Sequence, residues 1–244
     1  MIISISTNAA ELGKSAAILT AEKLMASIES NGSARLVLST GASQFETLSE
    51  LLNTSVPWEL VEIFHLDEYI GLPVTHPASF RKYLIERFIS RINCKAFYPV
   101  DTDRDIPELL EYLSGKIACS DPDVGLIGIG VNSHIAFNDP PADYNTTDPY
   151  IIVKLDRKCR MQQVNEGWFG SLDEVPPTAV SMSVNQILKC KTIISAVPHE
   201  VKADAICRTL TSGTDPMVPS SVLKNHADYH LFIDRFSASG IFRF

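Results

Sequence analysis

The residues best suited to moving protons are Asp67 and His134. Asp67 ends an apolar run and opens "DEYIGLP" (67–73), with Glu68 and Tyr69 directly behind it. A carboxylate at the mouth of a crevice acts as a general base when burial raises its pKa toward working pH. The same residue also makes an ordinary N-cap or turn former, and Tyr69 an ordinary half-buried aromatic. His134 stands in "GIGVNSHIAFNDPP" (128–141), two residues past Asn132 and five before Asp139. An imidazole with an ordinary pKa of about 6.5 is a proton shuttle at neutral pH, and a nearby acid orients the ring or serves as the acid itself. A solitary histidine is equally a structural residue.

Anion binding is the second chemistry on offer. "STGAS" (39–43) is a small-residue turn leading into a helix pattern. The N–H groups of Gly41, Ala42 and Ser43 and the hydroxyls of Thr40 and Ser43 are placed to hold an anion there, although a plain Ser N-cap fits as well. Neither G-x-x-x-x-G-K-[ST] nor G-x-G-x-x-G spacing is present, so a nucleotide is not indicated. Lys202, in "PHEVKAD" (198–204), falls in the first turn of a helix pattern, where the dipole disfavours a cation. It is either a surface lysine or the partner of an anion drawn to the same helix end. His65, His76, His199, His226 and His230 show no H-x-x-x-H or H-E-x-x-H spacing, and the five cysteines are scattered without C-x-x-C. No metal site is expected.

These residues need a scaffold that brings distant segments together. "ARLVLST", "VEIFHLD", "KAFYPV", "VGLIGIGV", "KTIISAV" and "DYHLFID" read as strands, and Met1 to Ser6 alternates weakly like an edge strand. Between them "AAELGKSAAILTAEKLMASIES", "QFETLSELLN", "SFRKYLIERFISRI", "PELLEYLSGKIACS" and "EVKADAICRTLTS" read as helices. Strands alternating with helices imply parallel pairing through right-handed crossovers, and "YIIVKL" is read into the same series. The expected fold is a three-layer α/β/α sandwich with a mostly parallel, Rossmann-like central sheet, built as one domain over residues 1–244. In such sheets ligands bind at the carboxyl ends of the strands, and the four segments above all follow strand ends.

Composition narrows the partners. The chain has 45% hydrophobic and 20% charged residues, close to an average globular protein, so disorder has no support. A net charge of −8 without a Lys/Arg cluster argues against nucleic acid but permits a small phosphorylated substrate. No segment approaches a membrane span, and "MIISISTNAAELGKSAAIL" (1–19) lacks the basic region followed by an apolar run of a leader. A soluble, cytoplasmic protein with reduced thiols is expected, as a monomer or a homo-oligomer.

Taken together, "LSTGAS" (38–43), "FHLDEYIGLPVTHPASF" (64–80), "LIGIGVNSHIAFNDPP" (126–141) and the lysine of "VPHEVKADAI" (197–206) resemble the glucosamine-6-phosphate deaminase/isomerase family. The segments run in that family's order over most of the chain. Its relatives are 6-phosphogluconolactonase and galactosamine-6-phosphate isomerase, and "HIAFN" favours the deaminase branch over the His-Thr-Ala type of the lactonases. The resemblance implies conversion of an amino-sugar 6-phosphate to a ketohexose 6-phosphate and ammonia through an enolamine, without cofactor or metal. It implies Asp67 as the base between C2 and C1, with Glu68 and Tyr69 as its support. It also implies His134 as the ring opener assisted by Asp139, and Thr40 to Ser43 with Lys202 as the phosphate site.

Departures from the family's pattern are visible too. Asn132 replaces an acid often found there, Asp139 replaces a glutamate, and the arginine that the family's lid supplies is missing. Arg160 is the nearest substitute, and Gly167 or Trp168 holds the expected place. A changed lid keeps galactosamine 6-phosphate in view as the substrate. A lactonase and a non-catalytic sugar-phosphate sensor are the alternatives.

Overall fold

The computed structural model describes residues 1–165 and 167–241. Its strands are β1 (Ile2–Ser6), β2 (Ala34–Leu38), β3 (Val61–His65), β4 (Asp67–Tyr69), β5 (Ala96–Tyr98), β6 (Val124–Leu126), β7 (Tyr150–Lys154), β8 (Thr178–Met182), β9 (Thr192–Val197) and β10 (Tyr229–Asp234). Its α-helices are α1 (Ala9–Asn31), α2 (Phe45–Leu51), α3 (Phe80–Arg87), α4 (Ile106–Ile117), α5 (Arg157–Asn165), α6 (Val184–Ile187) and α7 (Ala203–Thr211). Local chemistry sets several helix starts. Asn8, Ser79 and Asp105 each accept an N–H from the first turn of α1, α3 and α4, a cap worth about 1 kcal/mol.

Seven strands form one parallel sheet in the order β1-β10-β9-β6-β2-β3-β5. Successive side chains of a strand face opposite sides, and β2 shows the result. Leu36 and Leu38 pack with Leu12, Leu24 and Leu48 of α1 and α2, whereas Val37 packs with Leu109, Leu113 and Ile206 of α4 and α7. Both faces are therefore covered, which is why the central strands read as unbroken apolar runs. The expected three-layer architecture is present, with β1 at the sheet edge leaving Ile2, Ile3 and Ile5 exposed. Among the described residues no helix is long and apolar enough to cross a membrane.

One part of the architecture departs from the expectation. The chain leaves the parallel sheet at Leu66, and Asp67–Tyr69 pairs antiparallel with β8, which pairs antiparallel with β7. "YIIVKL" thus belongs to a separate three-stranded sheet. The physical reason shows in β7, where partly buried Ile151 and Val153 alternate with exposed Ile152 and Lys154, as befits an antiparallel sheet with one wet face. A small cluster of Tyr69, Phe137, Phe169 and Ala179 fills the dry side. "SSVLKNH" (220–226) is mostly a 3₁₀ segment, Pro219–Asn225.

The chain runs from β2 to β3 and β5 in one direction, then returns to β6 on the other side of β2. The loops after β2 and β6 therefore diverge at the point where strand order reverses, the place at which such sheets open a crevice.

Candidate active site

A cavity of about 430 Å³ opens at that reversal. All four predicted segments reach it: Thr40 to Ser43 after β2, Asp67 after β3, Gly130 and His134 after β6, and His199 and Lys202 after β9. Residues 77 to 80 at the start of α3, Cys159 and Gln163 of α5, and Trp168 complete the wall.

Asp67 is 5% exposed, and its carboxyl is raised well above the ordinary value. Burial is the main cause, and the charge of Glu68 adds to it. Strand alternation turns Glu68 away from the cavity. Its carboxylate accepts the Tyr69 N–H at 3.0 Å, the Ser79 hydroxyl at 2.7 Å and the Arg81 N–H at 2.8 Å. Burial raises the Glu68 carboxyl, and these bonds oppose the shift. The Arg81 guanidinium lies 3.9 Å from Glu68 and pairs in turn with Asp101 and Asp103. Tyr69 is fully buried against Phe80, Phe137 and Phe169. Glu68 and Tyr69 thus do not line the cavity and stand behind Asp67, in the place the resemblance implies for its support.

His134 sits in a tightly folded loop. Ser133 and Ala136 on either side of it both take positive φ, 71° and 50°, a conformation that costs non-glycine residues about 1 kcal/mol or more. Its Nδ1 lies 3.2 Å from Asp139 Oδ1, and that oxygen accepts Asn132 Nδ2–H at 3.0 Å. Asn132 Oδ1 in turn accepts the His134 N–H at 3.2 Å. Burial would raise the Asp139 carboxyl, but the neighbouring His134, Asn132 and Cys159 side chains hold it below the ordinary value. One carboxyl is pushed up and the other down, the arrangement that separates a base from an ionised partner of histidine. With Nδ1 turned to Asp139, the opposite ring edge lies over Gly130. A Cβ there would stand 2.3 Å from His134 Nε2. Asn132 stays behind the His134–Asp139 pair and does not line this cavity.

At the other end Gly41 adopts φ 104° and ψ 163° before a single 3₁₀ turn over Ala42–Gln44. The N–H groups at the start of such a turn lack acceptors within it. The Lys202 ammonium donates to the Ile129 carbonyl at 2.8 Å and lines the cavity beside them. His199 holds φ 79°, its N–H directed at both Asp234 carboxylate oxygens at 3.3 and 3.2 Å.

Arg160 does not line the cavity. Its guanidinium donates to the carbonyls of Val175 at 3.1 Å and Leu172 at 2.6 Å, so it ties α5 to the turn at Leu172–Val175. Trp168 is 38% exposed and lines the cavity, whereas Phe169 packs inside. Sequence reasoning missed Ser39, Tyr83, Gly130 and His199, all of which reach the cavity. "HPASF" and "PHEVK" signalled the neighbourhood of Tyr83 and His199, but nothing in a sequence shows a left-handed φ at a histidine. Among the described residues no three His, Cys, Asp or Glu side chains group so as to hold a metal ion.

Residues 7–232 match the family model described as glucosamine-6-phosphate isomerases/6-phosphogluconolactonase. The chain belongs to this family. Within it, the chain is 32% identical to a glucosamine-6-phosphate deaminase of Alkaliphilus oremlandii, over 98% of this chain and 99% of that one. It is 30% identical to a glucosamine-6-phosphate deaminase of Streptococcus pneumoniae, with 93% of each chain covered. The fold superposes on a monomeric glucosamine-6-phosphate deaminase with a TM-score of 0.87 at 28% identity, covering 98% of this chain and all of the other. A 6-phosphogluconolactonase of Trypanosoma brucei shares the fold at a TM-score of 0.78 and 15% identity, with 98% of each chain covered.

Proposed function

We propose that the protein is a deaminating aldose-ketose isomerase acting on D-glucosamine 6-phosphate, with galactosamine 6-phosphate as the competing substrate. One observation carries the reading. Asp67 and His134, delivered by different strand ends, open into the same cavity as the Thr40 to Ser43 loop and Lys202. Relatives at 30–32% identity bearing the deaminase name support it.

The phosphate is held by the N–H groups of Gly41, Ala42 and Ser43, the hydroxyls of Thr40 and Ser43, and Lys202. This remote anchor directs binding energy to the placement of C1 and C2. His134, its Nδ1 set by Asp139, carries the proton from O1 to the ring oxygen and opens the ring. Asp67 then removes the C2 proton to give the enolamine, while O1 gains a proton. Asp67 returns its proton to C1, and the nitrogen releases the proton that balances the one taken up at O1. Water adds to the resulting C2 imine and ammonia leaves, so sugar phosphate plus water gives ketose phosphate plus ammonia. A carboxyl raised by burial suits this task, because it must both take the proton and give it back.

We read residues 1–244 as one unit carrying the whole site. All five cysteines are free thiols, in keeping with a reducing compartment, and we place the protein in the cytoplasm.

Ammonia release from the two hexosamine 6-phosphates, assayed side by side with hydrolysis of 6-phosphogluconolactone, tests the reading. Ammonia from either hexosamine supports it. Lactone hydrolysis without ammonia from either sugar would overturn it.

A further inference from the structure

The loop after β2 is gripped from behind by α3, and we infer that Tyr83 is a positioning residue for phosphate recognition, acting through the Gly41 backbone. The inference rests on the sugar-phosphate reading above. The Tyr83 hydroxyl donates to the Gly41 carbonyl at 2.9 Å, and the same residue lines the cavity. Gly41 holds φ 104° and ψ 163°, a region open to glycine and very few other residues. The peptide between Gly41 and Ala42 is planar and trans, so its carbonyl and its N–H point to opposite sides. A bond that fixes the Gly41 carbonyl therefore fixes the direction of the Ala42 N–H.

A second contact makes the grip rigid. The Tyr83 ring stacks on Phe45, the first residue of α2, with centroids 5.6 Å apart and planes 18° from parallel. The Arg87 guanidinium covers Phe45 at 3.8 Å and reaches the Tyr83 ring at 5.4 Å. Both ends of the turn, Gly41 and Phe45, are thus tied to one side chain of α3. Burial raises the Tyr83 hydroxyl, so it remains a donor at working pH. At its other end, α3 and its cap supply the Ser79 hydroxyl and Arg81 N–H that hold Glu68 beside Asp67. One helix therefore registers the anion loop against the base.

Tyr83→Phe keeps the ring stack and removes only the hydroxyl. Titration calorimetry with inorganic phosphate and steady-state kinetics with glucosamine 6-phosphate read the effect. Loss of one neutral hydrogen bond predicts about five- to tenfold weaker phosphate binding and a matching rise in KM, with kcat little changed and the melting temperature retained. Tyr144→Phe serves as the control, since that hydroxyl also meets backbone carbonyls, of Asp215 and Pro219, away from the cavity. Unchanged affinity in Tyr83→Phe, or an equal loss in both variants, would overturn the inference. No phosphate binding by the unaltered protein would overturn the anchor itself, and the inference with it.

Discussion

At the residue scale, the site is built as much by what is small as by what is charged. His134 keeps its place because Gly130 has no side chain: an added Cβ would lie 2.2 to 2.5 Å from three ring atoms. The imidazole cannot retreat without breaking its approach to Asp139 at 3.2 Å. Gly130→Ala is therefore expected to lower kcat by about 100-fold or more, the usual consequence of misplacing a reacting group by an ångström. The fall in kcat should exceed what any loss of stability explains, as measured by kinetics alongside thermal unfolding. Asp67, His134, Asp139 and the Thr40 to Ser43 turn were legible as candidates because polar residues stand abruptly after apolar runs. The position of Asn132 was legible, but its contact was not. It touches Asp139 and the His134 backbone because Ser133 bends left-handed between them, and no residue type announces that bend.

At the element scale, the proposed phosphate loop depends on where α2 stands, and α2 stands where α1 allows. Gly13 of α1 meets α2 so closely that a Cβ would lie 2.5 Å from Glu46 Cβ and 2.8 Å from the Thr47 nitrogen. Gly13→Ala gains about 1 kcal/mol of helix propensity, yet overpacking of this kind costs about 1–3 kcal/mol. The net expectation is a lower denaturant midpoint, together with a raised KM because α2 carries the loop end at Phe45. A midpoint above that of the parent protein would refute this account of the contact. Most elements were readable from the sequence, since segments of helical spacing alternate with short apolar runs. The antiparallel sheet was not, because Asp67–Tyr69 finds its partner more than a hundred residues away in Ala179–Ser181. A three-residue strand carries too little pattern to declare which sheet it joins.

At the scale of the whole molecule, the fold holds titratable groups whose effects on stability oppose one another. His65 is fully buried, and burial, aided by the charge of Arg81, lowers its pKa to about 3. Its Nδ1 accepts the Val100 N–H at 3.3 Å, which suits the neutral ring. Between about 6.5, the unfolded value, and about 3 the unfolded chain binds a proton that the folded chain refuses. Stability from this group therefore falls as pH drops through that window and is constant above it. Urea unfolding at pH 7 and pH 5 should show the decline, and His65→Asn should flatten it; an equal slope in the variant would count against the buried neutral ring. Asp67 contributes with the opposite sign, because its raised carboxyl costs stability above its folded pKa. The layered fold was legible from the alternation of elements, but strand order was not. The return from β5 to β6 across β2, which opens the crevice, follows from packing that no local pattern encodes.

In the proposed mechanism the Asp67 carboxylate moves the proton between C2 and C1. Ammonia release from glucosamine 6-phosphate by Asp67→Asn, beside the unaltered protein, tests it most directly. The expected result is a loss of turnover by about 10²- to 10⁴-fold, the usual share of a general base, with a melting temperature at pH 7 that is retained or raised. Turnover close to that of the unaltered protein, from a variant that folds equally well, would contradict the account.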